Sequence, residues 1–210
     1  MNTLSLTLQK RRFSTWLLKG MLCFIACSAA LTEANALTED ELIDGYSHAY
    51  NAKGRLSKGD FRLLARFELL QAEWNSTLVP LVRGLRDPNL DPEQWARTAR
   101  RTLDEMTEIK VKMSVAAAEI EDTNARTLVK DIASINNQIL SAWEDVRLAV
   151  MNGDDAGYRR SGIRAQQLAQ SKAEIAGPII RRLREKFGSS VVDGAIERAL
   201  QEMLRKAGLR

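Results

Sequence analysis

The chain has 210 residues, with 31 Lys and Arg against 27 Asp and Glu, a formal charge of +4, two Cys and one His. This length suits one domain with a sizeable core, and 45% hydrophobic with 28% charged residues is the balance of a folded globular protein. So few Cys and His exclude a disulfide-rich scaffold and a Cys/His zinc module.

Residues 1–36 have the pattern of a secretory signal peptide. Basic residues at positions 10–12 and 19 precede a short apolar run over residues 20–31, and Ala34 and Ala36 form a small-x-small cleavage signature. The apolar run is shorter than the roughly 20 residues that a transmembrane helix needs. The pattern therefore predicts export, to a bacterial periplasm, with cleavage after Ala36.

Two alternatives remain for this segment. Residues 24–27 (FIAC) resemble a bacterial lipoprotein box, in which Cys27 becomes the lipidated N-terminus, although Phe stands where Leu is usual. A segment that is never cleaved would also anchor the chain. Either alternative would hold the protein at the membrane surface.

Removing residues 1–36 changes the charge balance. The segment contains four basic residues and one acidic residue, which leaves 27 basic and 26 acidic residues in the mature chain. Both cysteines, Cys23 and Cys27, are removed as well. The basic excess therefore concerns targeting, and a nucleic-acid partner is not expected.

Residues 37–210 are predicted to form a single helical domain, because good helix formers dominate and the period-two alternation of strands is absent. Thr38 with Glu41 fits a capping box, and Pro92 fits the first position of a helix after Asp91. Periodicity and caps predict six helices, at about 38–53, 57–85, 92–120, 123–151, 155–187 and 191–206.

The long helices carry one apolar stripe each, with spacings of three and four residues. Short turns between them favour antiparallel neighbours. The predicted fold is all-α: an antiparallel up-down bundle of four long helices with short helices at each end. Pro80 and Pro178 should kink or split their helices, and the Gly177–Pro178 pair favours a break.

A repeated seven-residue motif gives one further prediction about the fold. Residues 80–86 and 178–184 both read Pro-Φ-Φ-Arg-x-Leu-Arg, where Φ is aliphatic. An internal duplication of a three-helix unit would explain the repeat and predicts pseudo-twofold symmetry. The alternative is chance similarity between helices rich in Leu and Arg.

No motif in the sequence specifies a chemistry. It lacks a Gly-x-Ser-x-Gly elbow, a P-loop and a dinucleotide fingerprint, and His48 has no Glu three residues before it as a di-iron bundle would require. His48, beside Tyr46 and Tyr50, is expected on a wet, partly exposed surface of the first helix. We therefore expect no enzyme activity, no catalytic residue, no cofactor and no metal. The Trp residues at positions 74, 95 and 143 are expected in the core or at the ends of the bundle.

Three basic residues, Arg97, Arg100 and Arg101, lie near the start of the third helix, where the helix dipole does not favour cations. They are candidates for contact with an anion or a partner. The alternative is a solvated face with acidic partners four residues away.

The functional hypothesis is an exported, non-enzymatic bundle that acts as an interaction or scaffold module of the cell envelope. Its amphipathic helices, especially residues 191–210, would bind an envelope partner or a second copy of the chain. One alternative is a small-ligand or sensor-type bundle that binds an anionic solute. Another is a membrane-anchored lipoprotein.

Overall fold

A computed structural model of the chain describes residues 37–85 and 89–206. The predictions for residues 1–36, including cleavage beside Ala34 and Ala36 and lipidation of Cys27, lie outside the described residues. The described part forms six helices and no strand. They are α1 (Glu39–Ala49), α2 (Lys58–Gly84), α3 (Pro92–Glu119), α4 (Thr123–Met151), α5 (Asp155–Phe187) and α6 (Ser189–Lys206).

Side-chain caps begin the helices largely where the sequence predicted them. Thr38 Oγ1 accepts a hydrogen bond from Glu41 N, and Glu41 Oε2 accepts one from Thr38 N, so the capping box is confirmed. Helix α1 ends at Ala49, about four residues before the predicted end near residue 53. Asn51 adopts φ = 53°, a left-handed conformation that Asn tolerates better than most residues.

The four long helices pack in sequence order, α2 on α3, α3 on α4 and α4 on α5, as an up-down bundle does. The all-α bundle is therefore confirmed. The shorter helices flank it at each end of the chain, but both contact α5, and α6 also contacts α2. The guanidinium of Arg182, near the end of α5, donates to the carbonyl of Ala49 at 3.0 Å and ties α1 to that end of the bundle.

The predicted break at Pro178 is wrong. Helix α5 continues past Pro178, and α2 continues past Pro80. A proline ring collides with the Cβ of a helical residue before it, and Gly177 has no Cβ. The glycine that suggested a break therefore removes one obstacle to continuing the helix.

The described helices do not repeat one three-helix arrangement. Helices α1, α2 and α3 have 11, 27 and 28 residues, whereas α4, α5 and α6 have 29, 33 and 18. Helix α1 packs mainly on α5, while α4, its counterpart under the duplication, packs between α3 and α5. The similar segments 80–86 and 178–184 are therefore not accompanied by a pseudo-twofold arrangement of the described helices.

One apolar core runs through the bundle. Trp74 and Trp143 are fully buried and Trp95 almost so, which confirms their expected place in the core or at its ends. Buried Asp60 joins the start of α2 to the turn between α3 and α4: its carboxylate accepts from Glu121 N at 2.7 Å and from Asp122 N at 3.1 Å. No helix in the described ranges combines the length and the apolar character of a membrane span.

Candidate functional site

Two of the three arginines predicted as contact residues carry acidic partners. Arg97 Nη1 lies 3.5 Å from Glu93 Oε2, and Arg100 Nε lies 3.3 Å from the carboxylate of Asp104. Arg101 is exposed and makes no ion pair with a described residue. For Arg97 and Arg100 the structure therefore fits the alternative of acidic partners four residues away.

Arg100 also joins a network that connects α3 to α4. Its Nη1 lies 3.8 Å from Glu144 Oε1. Arg147 binds the same carboxylate with two hydrogen bonds, Nε to Oε2 at 2.8 Å and Nη2 to Oε1 at 2.6 Å. Hydrogen bonding to Arg147 outweighs partial burial and holds the pKa of Glu144 below its usual value. The Glu144 carboxylate therefore stays charged at neutral pH.

Two pairs of apolar side chains lie beyond the two ends of this network. Val111 and Val115 are one turn apart on α3, and Leu148 and Met151 are one turn apart on α4. These four side chains are 43–55% exposed. Lys110 Nζ donates to Asn137 Oδ1 at 2.7 Å, so α3 and α4 also stay side by side near the valines.

We call this surface the α3–α4 face: Val111, Val115, Leu148 and Met151, with the network of Arg100, Asp104, Glu144 and Arg147 between them. Val111 follows Arg100 by 11 positions, and Leu148 follows Glu144 by four in the opposite direction. At 1.5 Å per residue, the two apolar pairs are about 22 Å apart along the bundle. The face thus offers two apolar contacts separated by charged groups.

The prediction of a solvent-exposed surface around His48 is wrong for its neighbours Tyr46 and Tyr50. His48 is exposed, with Nε2 3.4 Å from Glu185 Oε2, but Tyr46 and Tyr50 are fully buried. Their hydroxyls donate to the two carboxylate oxygens of buried Glu68 at 2.7 and 2.8 Å. The cause is the packing of α1 on α5 and α2, which turns both tyrosines inward.

A second buried polar group joins α2, α4 and α5. Lys172 is 1% exposed, with Nζ 3.3 Å from Asn75 Oδ1 and 5.0 Å from the centre of the Trp74 ring. Gln71 donates to Asn75 Oδ1 at 3.2 Å and accepts from Asn136 Nδ2 at 2.8 Å. Because buried polar groups need partners, these bonds favour one register between the helices.

Neither buried polar group was predicted from the sequence, although the sequence contains a signal for both. Glu68, Gln71 and Asn75 follow the three- and four-residue spacing of the buried apolar positions Leu64, Leu78 and their neighbours on α2. A polar residue in phase with an apolar stripe predicts a buried hydrogen bond. The bonds connect core helices and fix their packing.

The described ranges contain no group of three or more His, Cys, Asp or Glu placed to hold a metal ion. His48 lies on an exposed surface, and its acidic neighbour Glu185 is equally open. The absence of catalysis, cofactor and metal stays a prediction. Comparisons with protein-family models, curated proteins and solved structures found no match for this chain.

Proposed function

We propose that the protein is an exported, non-enzymatic helical bundle that serves as an interaction or accessory module of the cell envelope. Its α3–α4 face would bind an amphipathic helix of a partner protein. The observation that supports this is the pair of half-exposed apolar contacts on either side of an ion network. Apolar side chains would anchor the partner, and the charged groups would select its orientation.

The spacing of the face defines the partner helix. A separation of about 22 Å corresponds to about 15 residues of helix, or about four turns. Two apolar anchors four turns apart lie on the same side of a helix. The partner segment therefore has apolar residues at both ends of one stripe, with charged or polar residues between them to meet Arg100, Asp104 and Glu144.

The alternatives have less support. An anionic solute at the start of α3 would compete with Glu93 and Asp104, which already neutralise Arg97 and Arg100. Lipid anchoring depends on Cys27, and export depends on the pattern of residues 1–36. Both remain proposals drawn from the sequence. A second copy of the chain is a special case of the main proposal, since two α3–α4 faces would meet in an isologous interface.

Site-specific photo-crosslinking in the native cell envelope tests the proposal. A photoreactive amino acid replaces Val111 or Leu148 on the face, and Ile163 serves as the matched control, because it is 54% exposed on α5 and outside the face. We expect one specific crosslinked protein, or a crosslinked dimer, from the first two positions. We expect none from Ile163.

Substitutions then connect the crosslink to binding. Val111→Asp and Leu148→Asp should lose the crosslinked partner, because each buries a charge in an apolar contact. Ile163→Asp should retain it. Equal crosslinking from Ile163, or a partner unaffected by both face substitutions, would show that the face is not the binding surface.

A further inference from the structure

The exposed side of α3 carries a stripe in which positive and negative charges are separated. Its members follow one another at alternating spacings of four and three residues, so they project from the same side of the helix. In chain order the stripe contains two basic residues, two acidic residues and the two valines of the α3–α4 face, all of them exposed: Arg97, Arg101, Asp104, Glu108, Val111 and Val115. The charged part of this stripe is complementary to a second α3 that runs in the opposite direction.

Two members of the stripe are available to pair with another chain. Arg101 and Glu108 are exposed, and neither makes an ion pair with a described residue. They are about 10.5 Å apart along α3, farther than the three- and four-residue spacings of ion pairs within a helix. In two antiparallel copies related by a two-fold axis, Arg101 of each copy lies at the level of Glu108 of the other. The axis then crosses α3 close to Asp104.

The apolar side chains of the face give the same position for the axis. The centre of the two valines lies about 14 Å from Asp104 in one direction along the bundle. Arg100 on α3 and Glu144 on α4 lie at one level. Counted from that level, the centre of Leu148 and Met151 is about 14 Å from Asp104 in the other direction. A two-fold axis at Asp104 therefore brings the valines of each copy to the level of Leu148 and Met151 of the other.

The size of the face suits a weak dimer. The stripe on α3 is about 27 Å long, and α3 and α4 together are about 20 Å wide. Contact between two such faces would bury about 1,000 Å² in total, the lower limit for a specific interface. We therefore expect a dimer that dissociates on dilution.

We infer that the α3–α4 face binds a second copy of this chain, in an antiparallel two-fold dimer in which Arg101 of each copy pairs with Glu108 of the other. The inference rests on the proposed function, because it names the occupant of the same face. The charged groups select the antiparallel arrangement, since two parallel stripes in register would oppose like charges. The apolar side chains supply the contacts on either side of the axis.

Sedimentation velocity of the protein purified from the cells that make it tests the inference, at concentrations from about 1 µM to about 1 mM. The parent protein should shift reversibly from monomer to dimer. Arg101→Glu and Glu108→Arg should each weaken the dimer about tenfold, because each turns two ion pairs between the copies into like-charge contacts. An equimolar mixture of the two variants should dimerise again, because both contacts of the mixed dimer then join opposite charges.

Arg159→Glu is the matched control, because it makes the same charge change at an exposed position of α5 outside the face. That variant should dimerise as the parent protein does, and circular dichroism confirms that every variant is folded. A parent protein that stays monomeric, a dimer that both face variants leave intact, or a mixture that dimerises no better than its components would overturn the inference.

Photo-crosslinking in the envelope distinguishes this failure from failure of the proposed function. A monomeric purified protein that is crosslinked from Val111 to a different protein would overturn the second copy as the occupant and leave the face as a binding surface. A monomeric protein that gives no crosslink from Val111 or Leu148 would overturn both.

Discussion

Gly45 lets α1 pack closely on α5, and replacing it with Ala should weaken that contact. A Cβ at Gly45 would overlap Cζ and Cε2 of the Phe187 ring and lie 3.0 Å from Cε1. Gly194, inside α6, is the control, because a Cβ there meets nothing closer than the flexible Arg198 guanidinium at 3.5 Å. Both substitutions replace a helical glycine.

The comparison separates two effects on the free energy of unfolding. Each Gly→Ala change gains up to about 1 kcal/mol of helix propensity. Overpacking against Phe187 costs about 1–3 kcal/mol in Gly45→Ala only. Gly45→Ala should therefore be about 1–3 kcal/mol less stable than Gly194→Ala. Each kcal/mol corresponds to a Tm difference of about 2–4 °C for a chain of this size.

Urea unfolding followed by far-ultraviolet circular dichroism measures the difference. The variant Phe187→Ala removes the ring, so adding Gly45→Ala to it should cost nothing further. Equal stabilisation by Gly45→Ala and Gly194→Ala in the parent protein would refute the close packing of α1 on α5. A cost of Gly45→Ala that persists without the Phe187 ring would refute its assignment to that ring.

Three further predictions concern single contacts. Tyr50→Phe should lower stability by about 1.5–3 kcal/mol in urea unfolding, because it removes a hydrogen bond to a buried carboxylate; an unchanged midpoint would contradict that bond. Asp60→Ala should cost about 1–3 kcal/mol by leaving Glu121 N and Asp122 N unpaired, and Asp60→Asn, which keeps one acceptor, should cost less. Glu144→Gln should cost about 0.5–1 kcal/mol at neutral pH, allowing for solvent screening of a partly exposed pair. Because the folded pKa of Glu144 lies below its ordinary value of 4.5, that difference should shrink as the pH falls below 4.5 and the carboxylate becomes protonated; a constant difference across that range would argue against the Arg147 bond.

The helices could be predicted from the sequence because their signals are local. Thr38 and Asp91 mark helix starts through bonds to residues within one turn, and Pro92 does so through its fixed φ. The apolar stripes of α3 and α4 follow directly from spacing. Local rules for proline leave out the packing of α2 and α5 on neighbouring helices, which stabilises both helices across Pro80 and Pro178. Local signals thus predict where the helices lie in the sequence, and they do not predict which helices pack against each other.

Contacts between distant helices could not be predicted in the same way. The hydroxyl of Tyr46 bonds to Glu68, which is 22 positions away, and Lys172 contacts Asn75 across a separation of 97 positions. Nothing near Val111 in the sequence indicates that it shares a surface with Leu148. The α3–α4 face appears only when α3 and α4 are placed side by side by Arg100 and Glu144.

The docking of α1 on α5 has a consequence for the order of folding. Helices α2 to α5 contact their neighbours in the chain, so they can form as each is synthesised, and low contact order favours rapid folding. His48 and Glu185, however, are 137 positions apart. At about 5–20 residues per second, the ribosome takes about 7–30 s to supply the docking surface of α1. During that interval the segment adjoining residues 1–36 has no helix α5 to pack on.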